Sequence, residues 1–354
     1  MEQTRYTIYD IARRAGVSAK TVSRVLNGKS GVSEETRARI RRLIEDLGYH
    51  PQIGAQSLRG THKGCIGVTL PAPWEEVPLT QEFFLWLFTE LYRIFGSKGE
   101  RVCFDLNPYN STWTNDYGRS VWDKLFSACL IPGPLAVGDA TILRIHGSGI
   151  PYVAFGRLDS LPECSSATVD YEEGAYLSTK FLLTRGHKRV AMLKAFTGYQ
   201  PGVERLRGYR RALEEAGIAP EEKLVRSVNF GLSNIANQVH RLLVDETVTA
   251  LVDASATEDG AGLRDGARRA GRVPGKDFEV VVWTYTDRAA VLREACGHVW
   301  LPTREAAAEG MELLAAWFYG EREGPVRVLY RPVLYEDLAE AEITTPKPLF
   351  DTFA

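Results

Sequence analysis

Apolar residues near the start of the chain recur at helical spacing in three short bursts. Each burst is fenced by a capping residue and a stop. Ile8, Ile11 and Ala12 share one face of a first helix. Thr7 stands at its N-cap with Asp10 three residues on, close to a capping box. Ala15-Gly16 ends the helix, and the glycine supplies the positive φ that a tight turn needs. Ser18 caps a second helix, Ala19 to Leu26, with Val17, Val22, Val25 and Leu26 turned to a core. Asn27-Gly28 closes it. Ser33 caps a third helix, with Glu34 and Glu35 set favourably against the helix dipole. Ile40, Leu43, Ile44 and Leu47 hold the i, i+3, i+4, i+7 rule up to Gly48. Tyr49-His50-Pro51 breaks the run, because the residue before proline avoids the α region.

From Gly64 onward the pattern changes to short apolar runs alternating with amphipathic stretches. Strands are expected at 65–70, 101–106, 128–132, 151–155, 189–194, 223–228, 248–253, 279–283 and 326–334. Helices are expected at 82–98, 116–127, 139–147, 172–185, 203–216, 232–244, 258–270, 287–295 and 303–319. This alternation predicts an α/β body of doubly wound parallel sheets with helices on both faces. The 354 residues are too many for one ordinary domain.

Charge separates the two parts. Residues 1–60 carry 11 Lys and Arg against 6 Asp and Glu, and the remainder carries 32 against 39. A basic head on an acidic body is the electrostatic footprint of nucleic-acid binding. The five cysteines, Cys65, Cys103, Cys129, Cys164 and Cys296, are scattered and form no CxxC pair, so neither a disulfide framework nor a zinc site is expected. No run of 18 apolar residues predicts a membrane span. The N-terminus leads into the head without a signal-peptide pattern, which fits a cytoplasmic protein. No Walker loop, serine elbow, HExxH or metal-ligand cluster calls for an enzyme, a cofactor or a metal.

A helix–turn–helix lays the N-terminal part of its second helix against base edges in the major groove. Ala19, Lys20 and Arg24 are therefore the expected base readers. Arg24 has the fork to meet guanine O6 and N7, and Ala19 the methyl to meet thymine. Tyr9, Ser18, Thr21, Ser23, Asn27, Ser33 and Thr36 suit phosphate contacts, which position without specifying.

The ordered run Asp10-Ile11-Ala12, Ala15-Gly16-Val17-Ser18, Thr21-Val22-Ser23-Arg24-Val25-Leu26-Asn27, Val32-Ser33, Thr36-Arg37 and Leu47-Gly48-Tyr49-x-Pro51 resembles the headpiece of the lactose-repressor (LacI/GalR) family of bacterial transcription regulators. Looser landmarks continue through the body: Ile66-Gly67-Val68, Gly149-Ile150-Pro151, Gly156-Arg157, Val169-Asp170 and Gly186-His187-Lys188-Arg189. The resemblance implies a helix–turn–helix headpiece over 1–50 and a hinge helix with linker over 51–63. It implies a two-lobed periplasmic-binding-protein-like body over 64–340, with an N-lobe near 64–157 plus a late crossover and a C-lobe near 158–300. Residues 341–354 form a tail. In the hinge, Leu58 matches a leucine that wedges into the minor groove, while Ala55 and Gln56 pack on the partner hinge and on the groove.

Ligands of such bodies sit between the lobes at the carboxyl ends of the strands. Arg205 matches the family's usual ligand-binding arginine, and Arg157 a Gly-Arg of many sugar-responsive members. Trp74, Phe83 and Trp283 lie where aromatic side chains would face a ligand. Two departures stand out. Ala256-Thr257 replaces the family's usual Asn-Asp, and Thr284-Tyr285 replaces its usual Asp followed by Asp or Asn, leaving a more aromatic and less acidic pocket. Asp253, Ser255 and Asp287 are nearby polar substitutes. The function implied is a repressor that binds a pseudo-palindromic double-stranded DNA operator as a homodimer, under control of a small-molecule effector, a sugar or related metabolite. A solute-binding protein with the same body is the competing reading.

Overall fold

The computed structural model describes residues 6–26, 30–47, 65–71, 81–105, 116–195, 198–228, 232–255, 260–285 and 292–336. Two compact units result, Met1–Gly64 and Cys65–Ala354.

The first unit contains α1 (Ile8–Ala15), α2 (Ala19–Leu26) and α3 (Glu34–Asp46). Ile11, Val22 and Ile40, one from each helix, are wholly buried against one another's cluster, with Ala12, Ala15 and Val25 around them. The capping box at α1 is complete: Thr7 Oγ1 accepts from Asp10 N–H, and the Asp10 carboxylate accepts from Thr7 N–H at 2.9 Å. Gly16 takes φ +64°, and Val17 N–H then reaches back to Ala12 C=O at 3.0 Å. Ser18 and Ser33 cap the next two helices through Thr21 N–H and Thr36 N–H.

The second unit contains two six-stranded sheets. Along the chain run β1 (Cys65–Thr69), α4 (Gln81–Ile94), β2 (Val102–Asp105), α5 (Arg119–Trp122), β3 (Phe126–Ile131), α6 (Ala140–Gly147), β4 (Tyr152–Ala154) and β5 (Ser166–Val169). Next come α7 (Tyr171–Thr184), β6 (Val190–Lys194), α8 (Gln200–Glu215), β7 (Val225–Ser227), α9 (Leu232–Leu243), β8 (Ala250–Ala254), α10 (Ala261–Arg269), β9 (Glu279–Thr284) and β10 (Gly297–Trp300). The chain finishes with α11 (Thr303–Tyr319), β11 (Arg327–Tyr330) and β12 (Val333–Tyr335). The sheet orders are β11-β5-β4-β3-β1-β2 and β12-β10-β9-β8-β6-β7. All pairings are parallel except that of β10 with β12.

Burial follows from this layering, since a parallel sheet must be covered on both faces. One core continues across both lobes, with α4 and α11 on the first sheet and α7 and α8 on the second. Two further cores close the opposite faces, beneath α5 and α6 in the first lobe and beneath α9 and α10 in the second. Helices α7 and α8 approach backbone to backbone: a Cβ on Gly208 would stand 1.9 Å from the Glu172 carbonyl oxygen.

Five expectations need correction. The stretch 116–127 forms helix only over Arg119–Trp122, because Phe126 already starts β3. Strands β5 and β10 were not expected: SATV and GHVW are too short and too interrupted by polar residues to stand out. The expected strand 326–334 is two strands, Tyr330 pairing with Val169 in the first sheet and Val333 with Trp300 in the second. The first lobe therefore runs on to Val169 rather than ending near residue 157. Of the expected helix 287–295, the described residues 292–295 are not helical.

Candidate functional site

The head presents its candidate readers outward. On α2, Val22 and Val25 are buried, while Lys20 and Arg24 are exposed and Ala19 is half-buried. Four-residue spacing puts Lys20 and Arg24 on one stripe of the helix. The Arg24 guanidinium lies beside Gly31, about 3.5 Å from where a Cβ would be. Tyr9 is 60 % exposed at the start of α1. Ser18 is in hydrogen-bond contact with the Thr21 hydroxyl, and Ser33 donates to the Thr36 hydroxyl, while the two serines also serve as caps. Ser23 is half-buried on the same helix. Asn27, Ala55, Gln56 and Leu58 lie outside the described residues, as does Trp74.

In the body, Arg205 is fully buried on α8. Its guanidinium carbon lies 4.5 Å from the Tyr171 ring centre and 5.0 Å from that of Trp283, and these rings are stacked 12° from parallel. Such contacts hold a desolvated cation in place. Arg205 also donates to the Tyr285 hydroxyl at 3.3 Å. Trp283 is itself buried, its indole N–H donating to Ser178 Oγ at 2.9 Å, with Gly174 close beneath the ring. It therefore acts as the wall behind Arg205. Phe83, half-buried, packs edge-on against Phe155 at the carboxyl end of β4, with ring centres 6.4 Å apart.

Arg157 has a different setting. Its Nε donates to Glu204 at 2.8 Å, and its second nitrogen reaches Asp170 at 3.2 Å. Burial pushes the Glu204 carboxyl up and Arg157 pulls it back down. Because Arg157 follows β4 and Glu204 sits on α8, this ion pair joins the lobes. Backbone bonds join them again, Val137 N–H to Gly198 C=O at 3.0 Å and Gln200 N–H to Leu135 C=O at 2.9 Å. Beside these ties lies a cavity of about 680 Å³ that Arg157, Asp170, Arg207 and Arg327 help to line. His187 bonds Thr249 and Glu279, a structural role at the α7–β6 turn.

The departures from the expected pocket are partly visible. Asp253 is buried and accepts both the amide and the hydroxyl of Ser255, while burial raises its carboxyl above the usual range. Thr284 ends β9 and Tyr285 follows it, whereas Ala256-Thr257 and Asp287 lie outside the described residues. Two side chains that the sequence reading passed over belong to this region, Glu204 and Lys194. The signal for Lys194 was present: it closes the run Val-Ala-Met-Leu-Lys, in which every other residue is apolar.

A three-helix DNA-reading head combined with a two-lobed α/β body defines a ligand-responsive transcription regulator and no enzyme. Residues 7–52 match the model of bacterial regulatory proteins of the lacI family, and residues 179–336 that of the periplasmic binding protein-like domain. The chain belongs to the lacI family of bacterial regulatory proteins. It is 26 % identical over 320 residues to catabolite control protein A of Priestia megaterium, covering 89 % of this chain and 93 % of that protein. It is 29 % identical to the transcriptional repressor PurR of Vibrio atlanticus, covering 87 % and 90 %. Among solved structures, it superposes on the regulator CelR in complex with cellobiose at a TM-score of 0.63, with 26 % identity and coverage of 94 % and 98 %. The lac repressor dimer bound to operator and the anti-inducer ONPF shares its fold at a TM-score of 0.71, with 22 % identity and the same coverage. The match of the head sets aside the solute-binding alternative. Among the described residues, no helix is long and apolar enough to cross a membrane.

Proposed function

We propose that this chain is a cytoplasmic repressor that binds a pseudo-palindromic operator as a homodimer and responds to a small molecule held between the lobes of its body. The observation that carries the reading is the two-sided α2, with valines sealed into the head core and Lys20 and Arg24 left exposed on one stripe. In this reading Ala19, Lys20 and Arg24 contact bases. Tyr9, Ser18, Thr21, Ser23, Asn27, Ser33 and Thr36 contact phosphates. Ala55, Gln56 and Leu58 enter the minor groove from a paired hinge. The domain limits are those expected above, 1–50, 51–63 and 64–340, with the first lobe extended to Val169.

Self-association has a surface to use. Leu85, Phe88 and Tyr92 form an exposed apolar stripe on α4, at 70, 49 and 69 % exposure. Contiguous apolar patches of this kind mark interaction surfaces, and a second copy of the chain supplies the matching face of an isologous dimer. Effector contact falls to Arg205, with Phe83, Trp74 and Trp283 as aromatic neighbours and Arg157 as the interlobe tie. Glu204 and Arg205 are adjacent on α8, so a ligand that shifts Arg205 also disturbs the Arg157 pair. Binding thereby biases one lobe arrangement over another, which is what coupling to the head requires. CelR carries cellobiose in the matched structure, which supports a carbohydrate-sized effector here.

The test is operator selection from random DNA, with and without a panel of sugars and small metabolites. A pseudo-palindrome gained or lost with one compound supports the reading. Failure to enrich any sequence overturns it. Affinity should also fall steeply with salt, as counterions released by phosphate contacts require.

A further inference from the structure

We propose that the effector of this chain is anionic, a carbohydrate-sized molecule whose carboxylate or phosphate sits on Lys194 and Arg205 at the carboxyl ends of the second sheet. The inference rests on the effector reading above and narrows it.

The argument begins with the strand. Residues alternate faces along β6. Val190 and Met192 belong to the core under α7 and α8, and Ala191 and Leu193 to the core under α9 and α10. Lys194 therefore falls on the α7–α8 face, the face on which Arg205 is buried. Lys194 is only 9 % exposed, and among the described residues its ammonium has no hydrogen-bond or ion-pair partner. Lysine is almost never buried unless paired.

Among the described residues, neighbouring acids do not offset it. Asp253, on the adjacent β8, alternates onto the opposite face with Leu251, and its carboxylate is bonded to Ser255. Glu204 is held by Arg157. The influences on Lys194 are burial and the Arg205 charge, and both work against its ammonium form. Two cations thus converge at one end of one sheet face, where a ligand of this fold is bound. In sequence, Thr284-Tyr285 and Ala256-Thr257 stand where the resembled family usually has carboxylate and amide side chains. A polyol recognised through paired carboxylates has lost its partners, whereas an anion meets a fork and a point charge suited to it.

The opposite jaw is apolar. Phe155 follows β4 directly and packs edge-on with Phe83 from α4. One jaw for a ring face and one for an anionic group describes a sugar acid or a sugar phosphate better than a neutral sugar.

The experiment uses the full chain, with thermal unfolding and affinity for the selected operator as readouts, at matched ionic strength. The probes are D-glucose, D-glucuronate, D-glucose 6-phosphate and inorganic phosphate. The expected result is a rise in Tm, or a change in operator affinity, with one or more anionic probes and none with D-glucose. Lys194→Met should weaken that response about tenfold or more, the usual cost of losing a charge-assisted contact. Lys194→Arg should keep it within about threefold, since the charge is retained. Removing an unpaired buried cation should leave the Tm of the free protein unchanged or raised, so Lys194→Met doubles as a folding control. Response to D-glucuronate alone assigns a carboxylate, and response to the two phosphate probes alone assigns a phosphate; both support the proposal. Indifference to all three anions overturns it, as does an equal response of wild type and Lys194→Met. If no operator is selected by the wild type without any probe, the repressor reading itself fails, which is a separate result.

Discussion

The head and the body handle charge in opposite ways. In the head, Lys20 and Arg24 stand in water on a small apolar wedge, and among the described residues the core beneath them contains no charge. In the body, Arg205 and Lys194 are buried, and among the described residues Arg205 meets the Tyr171 and Trp283 rings and the Tyr285 hydroxyl. The difference reflects the size of the partner. A duplex is itself a dense polyanion, so exposed cations on a rigid support suffice and desolvation occurs at the interface. A small molecule brings little charge of its own, so the protein must hold its donors preorganised and dry, where each contact counts for more.

The contrast can be broken most sharply in the cores. Ile40→Ala removes one of three interlocking side chains and should cost the head about 4 kcal/mol. Limited proteolysis of the full chain should then cut the head, and operator binding should be lost, while the thermal transition of the body stays put. An equal loss in the body would mean that the two units do not stand apart.

Gly208→Ala tests the body in turn. The added methyl meets the Glu172 carbonyl, α7 and α8 must separate, and about 3 kcal/mol should be lost in denaturant unfolding. Operator affinity of the protein that remains folded should hold. If stability is unchanged, the close helix contact is not as tight as the geometry states.

Arg24→Ala sharpens the head's side of the comparison. It should cost about 2 kcal/mol at one base pair and leave the others alone. A uniform loss across all sequences would make Arg24 a phosphate contact.

The smallest effect concerns acid. The Arg185 fork and His187 hold the Glu279 carboxyl at about 2, below its ordinary 4.5. A depressed carboxyl stabilises the fold above the unfolded value and loses that contribution as pH falls from about 4.5 through about 2. The pair is partly open to solvent, so its worth is about 1 kcal/mol. Glu279→Gln should lower stability at pH 7 by that amount and flatten the acid limb of the stability curve. An unchanged acid limb would assign the loss to other carboxylates.

How far each region could be read in advance follows the same division. In the head, every signal is local: Thr7 and Asp10 cap across three residues, Gly16 turns the chain, and Val22 and Val25 face inward by period alone. Those features appear in the structure at the expected residues. In the body, β5 and β10 carry too few apolar residues to announce themselves and exist because neighbouring strands pair with them. The run 326–334 reads as one strand, yet its halves join different sheets, since pairing partners lie far away in sequence.

The amino-acid sequence determined the helix–turn–helix, the basic head and the alternation of strand and helix, because caps, periodicity and charge balance act within a few residues; Arg205 and Arg157 were singled out only through the resemblance to a family. Only the tertiary structure decided that Trp283 backs Arg205, that Arg157 ties the lobes through Glu204, and that Lys194 shares a buried face with Arg205. Those relations depend on which strand lies beside which and on the side of the sheet each residue faces, and both are set by packing across the whole body.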